Sequence, residues 1–267
     1  MRLEASRLEI RRGARTLVRE LDLRIEPGRV LVVLGPNGAG KSTLLLALAG
    51  AHPLAAGWVR LGDRPLASLG AKARAERVAW QGQLPPTEFG LTVGERLQLS
   101  APRGGRDEID EALRRVDLAG LDARPLGELS AGERQRAELG ALSLRRAPLW
   151  LLDEPTAHLD LRHQVAWLDL LCAEAARGRS LVVVLHDLGQ AAAIADDVLL
   201  LYGDGRTKAG RAEEMLRAAM LEDVFGVALC EIGGADGFTF VPSYGEHCAS
   251  ARRARIADQQ RSSSRRP

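Results

Sequence analysis

Residues 35–43 read GPNGAGKST between two apolar runs, 30–34 and 44–49, a context that predicts a buried strand, a glycine-rich turn and a helix start. In a G-x-x-x-x-G-K-[ST] pattern, Gly35 and Gly40 stand where the backbone must turn tightly. Pro36, Asn37, Gly38 and Ala39 lie between them, in a stretch whose successive N–H groups point inward at phosphate. Lys41 can then reach the β and γ oxygens of a nucleotide, Ser42 offers a hydroxyl to Mg²⁺, Thr43 closes the motif, and the helix N-terminus adds partial positive charge. At ordinary glycine usage, four such fixed positions coincide by chance in about one chain of this length in a hundred, so a ligand-free glycine turn explains the stretch poorly.

The rest of the composition sets few limits. An apolar fraction of 46% with 27% charged residues is that of a globular protein, and a net charge of +2 points to no particular partner. Nearly all basic residues are arginine; the only lysines are Lys41, Lys72 and Lys208, so one of them stands where phosphate chemistry needs an ammonium. No apolar run approaches the ~18 residues that cross a bilayer, and the charged start MRLEASRLEIRRG does not read as a signal peptide, which places the expected chain in the cytoplasm. Cys172, Cys230 and Cys248 are far apart and in no C-x-x-C arrangement; they read as reduced thiols, with Cys172 expected on a helix's buried face.

Taken in order, residues 3–10 and 16–25 alternate as half-wet strands, 30–34 is a buried strand, and 58–61 and 78–80 read as further strands around a short exposed helical piece. Pro85 and Pro86 make residues 83–90 a loop, after which 93–99 and 107–116 have helical spacing. Ser130 with Glu133 three residues on is a capping-box start for a helix over 129–144. Residues 149–152, 180–185 and 198–202 read as strands alternating with helices over 161–177 and 188–195. The expected class is therefore α/β with a largely parallel sheet covered on both faces. The polar, Arg-rich residues 243–267 are expected to be a disordered tail after a domain of residues 1–242.

The apolar run 149–152 ends in two carboxylates. Asp153 is placed to hold Mg²⁺ opposite the phosphate loop, and Glu154, immediately after it, to orient and deprotonate a water attacking a γ-phosphate. Downstream of the loop, LSAGERQR at 129–136 resembles the signature sequence of the ATP-binding cassette (ABC) transporter ATPases, and it stands shortly before LLDEP, as in that family. Gln83 after VAWQG matches the family's Gln loop, AHLD at 157–160 its D-loop with Asp160, and His186 after SLVVVL its switch histidine. Together the motifs cover about residues 1 to 210.

The resemblance implies a P-loop NTPase (RecA-like) core with a mostly parallel sheet, an N-terminal antiparallel β subdomain, and an inserted helical subdomain of about residues 91–145 carrying the signature. It implies ATP and Mg²⁺ as ligands, the latter on Ser42, Gln83 and Asp153. It also implies that Leu129, Ser130, Ala131, Gly132 and Glu133 face the nucleotide of a second copy, so that two chains sandwich two ATP molecules. Glu154, His186, Gln83 and Lys41 are the expected catalytic residues.

Two departures stand out: Ala131 replaces the family's usual glycine, and no aromatic residue precedes Trp58, where the family stacks adenine. The guanidinium planes of Arg12 and Arg15 are the candidate substitutes. A single cassette without long heptads disfavours the nucleic-acid relatives. The implied partners are a second copy and two transmembrane permease subunits at the cytoplasmic face of the membrane, with an extracytoplasmic binding protein acting indirectly. LHDLGQAAAIAD at 185–196 resembles the importers for vitamin B12, siderophores and haem, the loop after residue 78 being most similar to the vitamin B12 subunit. Phe89 and Leu91 are candidate permease contacts, with an intramolecular core role equally open. Export, or an ATPase stimulated by nucleic acid, also stays open at this stage.

Overall fold

The computed structural model describes residues 1–82, 90–234 and 237–243. The chain opens with two long antiparallel strands, β1 (Leu3–Arg12) and β2 (Arg15–Ile25). Leu3 and Ala5 point inward, Arg7 has a φ of 45°, and Leu8 and Ile10 resume the inward set after a register shift; this bulge keeps both halves of β1 on the same core. The buried strand β3 (Val30–Leu34) and helix α1 (Lys41–Leu48) flank the phosphate-loop motif, as expected from sequence. β4 (Ala56–Leu61) and β5 (Arg64–Pro65) then return to the N-terminal strands, giving an antiparallel sheet of order β2-β1-β4-β5.

After the short helix α2 (Ala71–Ala75) and strand β6 (Val78–Gln81) come three helices, α3 (Val93–Ser100), α4 (Arg106–Arg115) and α5 (Ala131–Ser143). The chain then alternates: β7 (Leu149–Asp153), α6 (Leu161–Ala176), β8 (Ser180–Val184), α7 (Leu188–Ile194) and β9 (Asp197–Leu201). Beyond the sequence expectations lie β10 (Thr207–Arg211), α8 (Ala212–Met215), α9 (Ala218–Phe225) and a hairpin of β11 (Leu229–Gly234) and β12 (Gly237–Pro242). Among the described residues no helix is long and apolar enough to cross a membrane.

The second sheet has the order β10-β9-β3-β8-β7-β6, parallel from β9 to β6 with β10 antiparallel at one edge. The inner strands β3, β8 and β7, with β9 beside them, are apolar over nearly their whole length because both faces are covered, whereas the edge strand β10 reads TKAGR and is largely exposed. In β3, Val30, Val32 and Leu34 join a core with α6, α7 and α9, whereas Leu31 and Val33 join another with α1 and the antiparallel sheet. β7 divides likewise, Trp150 and Leu152 against Leu149 and Leu151. A third core belongs to the helices: Val93, Leu97, Ile109, Leu113, Leu129, Ala137 and Ala141. Helix α5 joins two cores, since Leu139 and Leu142 on its other side pack with the sheet.

One expectation needs correction. Cys172 is exposed, because the buried stripe of α6 is Trp167, Leu168, Leu171 and Ala175, and residue 172 falls just beside it. Leu91, for which the sequence leaves a core role and a permease contact both open, is half-buried against the helical core, and its carbonyl accepts from Leu126 N at 2.8 Å. Gln83, Phe89, Cys248 and the tail from residue 244 onward lie outside the described residues.

Candidate nucleotide site

Every described candidate from the core sheet falls at the carboxyl ends of its strands, where open parallel sheets present their ligand crevice. Gly35 follows β3, Asp153 ends β7 with Glu154 next, and His186 comes shortly after β8. At the loop, Gly35 has a φ of 151° and a Cβ there would run into the Leu201 carbonyl; Gly40 has a φ of 102° and its Cβ would lie 2.9 Å from that of Leu17. No side chain caps α1 and its first turn holds no acid, so its first N–H groups remain free for an anion.

Lys41 is only 6% exposed; its Nζ donates to the carbonyls of Gly35 at 2.8 Å and Pro36 at 3.0 Å. Burial lowers its pKa, while Glu154 and Asp153 oppose that shift. Asp153 is buried as well, and burial raises its pKa, countered first by the Ser42 hydroxyl and reinforced by Glu154. Its Oδ1 is buried without a hydrogen-bond partner. An orphaned carboxylate oxygen beside a serine hydroxyl and a phosphate cradle fits Mg²⁺, which takes one or two protein oxygens and completes its shell with phosphate and water.

Glu154 has a φ of 54°, a conformation that non-glycine residues adopt at a cost of order 1–3 kcal/mol. The strained backbone aims its carboxylate at His186, and Nε2 and Oε1 are 2.6 Å apart. The residue expected to activate water and the one matching the switch histidine are thus in direct contact. Asp160 caps α6, its Oδ1 accepting from His163 N at 2.9 Å and meeting His163 Nδ1 at 2.8 Å. Those bonds, the backbone one foremost, hold its carboxyl below the usual range.

At the start of α5 the expected capping box is present: Glu133 N donates to Ser130 Oγ at 3.2 Å and Ser130 N to Glu133 Oε2 at 2.8 Å. Ser130 is exposed, Leu129 is buried in the helical core, and Ala131 sits in the first turn. A Cβ on Gly132 would lie 3.0 Å from the His158 carbonyl, which accounts for a glycine there. Arg12 and Arg15 face each other across the β1–β2 turn, and Arg15 Nη2 donates to the Gly203 carbonyl at 2.6 Å, anchoring one guanidinium near Ala39 of the phosphate loop.

Sequence reasoning missed the side chains holding residues 155–159. Gln135 reaches the Pro155 carbonyl at 2.7 Å, and Thr156 bonds to Gln190 at 2.7 Å. Gln135 and Gln190 lie within the motif stretches 129–136 and 185–196, but their partners are 20 and 34 residues away, so no local signal marks the pairing.

Residues 18–157 match the family model described as ABC transporter. Among curated relatives, the hemin import ATP-binding protein HmuV of Streptomyces coelicolor is 43% identical over 230 residues, covering 83% of this chain and 82% of the relative. The protein of the same name from Pseudomonas fluorescens Pf0-1 is 41% identical over 239 residues, covering 84% and 92%. Among solved structures, a chain of a metal-chelate type ABC transporter in an inward-facing conformation superposes with a TM-score of 0.76 at 26% identity, covering 91% of this chain and 97% of that one.

Proposed function

The chain belongs to the ABC transporter family as an ATP-hydrolysing subunit, and on that premise we propose that it drives a haem importer as one of two identical copies docked on the cytoplasmic side of two permease subunits. The vitamin B12 preference drawn from the loop sequence finds no support among the relatives, whose names refer to hemin import; the haem alternative is therefore the better choice of cargo. The observation that carries the hydrolytic reading is the 2.6 Å contact between Glu154 and His186 beside Lys41 and Asp153.

In this reading the loop 35–43 binds the triphosphate through its backbone N–H groups, and Lys41 exchanges its carbonyl partners for β and γ oxygens. Ser42 and Asp153 are the described residues that would hold Mg²⁺, which when bound would supply positive charge against the negative charge developing on the phosphates. Glu154 accepts the proton of the attacking water. His186, now tied to Glu154, becomes a donor to the γ-phosphate once nucleotide separates the pair.

Ser130 to Glu133 face the partner copy's nucleotide while Leu129, buried in the helical core, anchors them rather than facing it; Asp160 lies at the seam between the copies, and Arg12 and Arg15 flank the adenine. The helical unit of about residues 91–145 moves with the signature. The groove between β6 and helices α3 and α5, lined by the exposed Trp80 and Leu99 and by the paired Arg96 and Glu138, receives the permease.

Two measurements test this. Glu154→Gln should lower phosphate release by about 10²-fold or more while retaining ATP binding; turnover at the wild-type rate would refute the assignment. With its permease in proteoliposomes and a binding protein present, haem should be transported in preference to cobalamin or a ferric siderophore. Transport of cobalamin instead would restore the vitamin B12 reading.

A further inference from the structure

The turn 155–159 runs from Glu154 to Asp160 and has few bonds of its own. Ala157 N donates to the Glu154 carbonyl at 3.1 Å and Leu159 N to that of Thr156 at a long 3.4 Å, and His158 has a φ of 63°. Side chains from three helices hold it instead. Gln135 of α5, 2% exposed, fastens Pro155. Thr156, also buried, donates its hydroxyl to Gln190 Oε1 on α7 at 2.7 Å, and Gln190 Nε2 donates to Gln164 Oε1 on α6 at 3.1 Å. Gln164 Nε2 returns to the Leu159 carbonyl at 3.1 Å, closing a ring that begins and ends on the turn.

Gln190 is the member of this ring that comes from α7, the helix entered just after His186. Its own backbone N–H donates to Asp187 Oδ1 at 2.8 Å, which fixes it to the helix start. One side chain therefore ties the segment leaving Glu154 to the segment leaving His186. Glutamine suits the position because its amide offers an acceptor and a donor at once. Leucine would fill similar space but leave the Thr156 hydroxyl and the Gln164 carbonyl oxygen without these partners. Glutamate would keep the acceptor and oppose its second oxygen to Gln164 Oε1.

We propose that Gln190 is a positioning residue for hydrolysis, its amide fastening the 155–159 turn to α7 so that Glu154 stays in register with His186 and Asp160 with both. The inference rests on the reading of Glu154 and His186 as the hydrolytic pair. The phosphate loop takes no part in the ring, so loss of the ring should affect turnover and spare nucleotide capture.

The test is steady-state ATP hydrolysis by the full chain as Gln190→Leu, Gln190→Glu, Gln164→Leu and the double variant Gln190→Leu/Gln164→Leu, with binding of a fluorescent ATP analogue as a check that each has folded. Gln190→Leu should lower kcat by about tenfold, within the range that a small misplacement of reacting groups costs, with KM changed by less than about twofold. Gln190→Glu should recover part of the loss, and the loss in the double variant should fall short of the product of the losses of Gln190→Leu and of Gln164→Leu assayed alone, because both changes break one ring. An unchanged kcat, a joint collapse of kcat and analogue binding in both Gln190 variants, or losses that multiply in the double variant would overturn the inference. Glu154→Gln assayed beside them separates the two levels. If it hydrolyses ATP normally, the underlying reading fails; if it is inert while Gln190→Leu is normal, the reading stands and Gln190 has no such role.

Discussion

The starts of α1 and α5 meet the same requirement in opposite ways. Both must satisfy N–H groups that have no partner within the helix. Helix α1 leaves them open behind Gly40, with no capping side chain and no acid in its first turn. Helix α5 bonds the Glu133 N–H to Ser130 Oγ and turns the Glu133 carboxylate back onto the Ser130 N–H, and so places a carboxylate where an anion would come. The difference teaches that the first start is formed for phosphate within one chain. The second is partly latched by its own capping box, and in the proposed dimer a nucleotide brought by another copy would have to displace part of that cap. A composite site with one open half and one latched half would hold triphosphate loosely until both copies close.

Three substitutions sharpen or break that contrast. The largest effect is expected from Lys41→Ala, which removes the buried ammonium beside the open start. Hydrolysis measured by phosphate release should fall by about 10²–10³-fold, as for loss of one preorganised charge-stabilising group, and a near-normal rate would mean that α1 does not hold the triphosphate. Ser130→Ala comes next. Removing an N-cap costs about 1 kcal/mol, to be read from urea unfolding, while nucleotide affinity of the isolated chain stays at the wild-type value because its phosphates lie on α1. A large loss of affinity in that variant would show the two starts acting within one chain.

Glu133→Gln should have the smallest effect, since glutamine can keep the box while dropping the charge. In the wild type the Ser130 N–H holds the Glu133 carboxyl below its ordinary value of 4.5. A depressed carboxyl contributes stability that is complete above that value and is lost as pH falls through the folded one. The stability advantage of wild type over Glu133→Gln, followed by unfolding from pH 7 to pH 3, should therefore shrink toward acid. An advantage that grew on acidification would contradict the cap.

What was legible in the sequence was legible because it is local. The phosphate loop, the Asp153–Glu154 strand end and the Ser130–Glu133 box each lie within a few residues, and each fixes its own geometry. The apolar strands could be read as doubly covered, and β3 divides its side chains between two cores as such a strand must. Illegible were contacts set by chain separation. The ring of Thr156, Gln190 and Gln164 joins residues up to 34 positions apart, and glutamine has no periodic preference to betray it. Cys172 is misplaced by the sequence reading because the buried stripe of α6 runs through Leu168, Leu171 and Ala175 and leaves residue 172 beside it. The terminal hairpin escaped too, since Phe240 is buried only once α7 and α9 provide a surface for it.

The central claim is that each active site joins the phosphate loop of one copy to the α5 start of another. Mixing two inactive variants tests it most directly. Lys41→Ala spoils the loop and leaves α5 intact, whereas Ser130→Glu sets a carboxylate at the α5 start and leaves the loop intact. Each alone should hydrolyse ATP at about 10²-fold below wild type. Random pairing of equal amounts should restore roughly a quarter of the wild-type rate, since about half of the dimers are mixed and each mixed dimer holds one complete site of two. A mixture no more active than its components, or a Ser130→Glu variant that hydrolyses normally when prevented from pairing, would contradict the account.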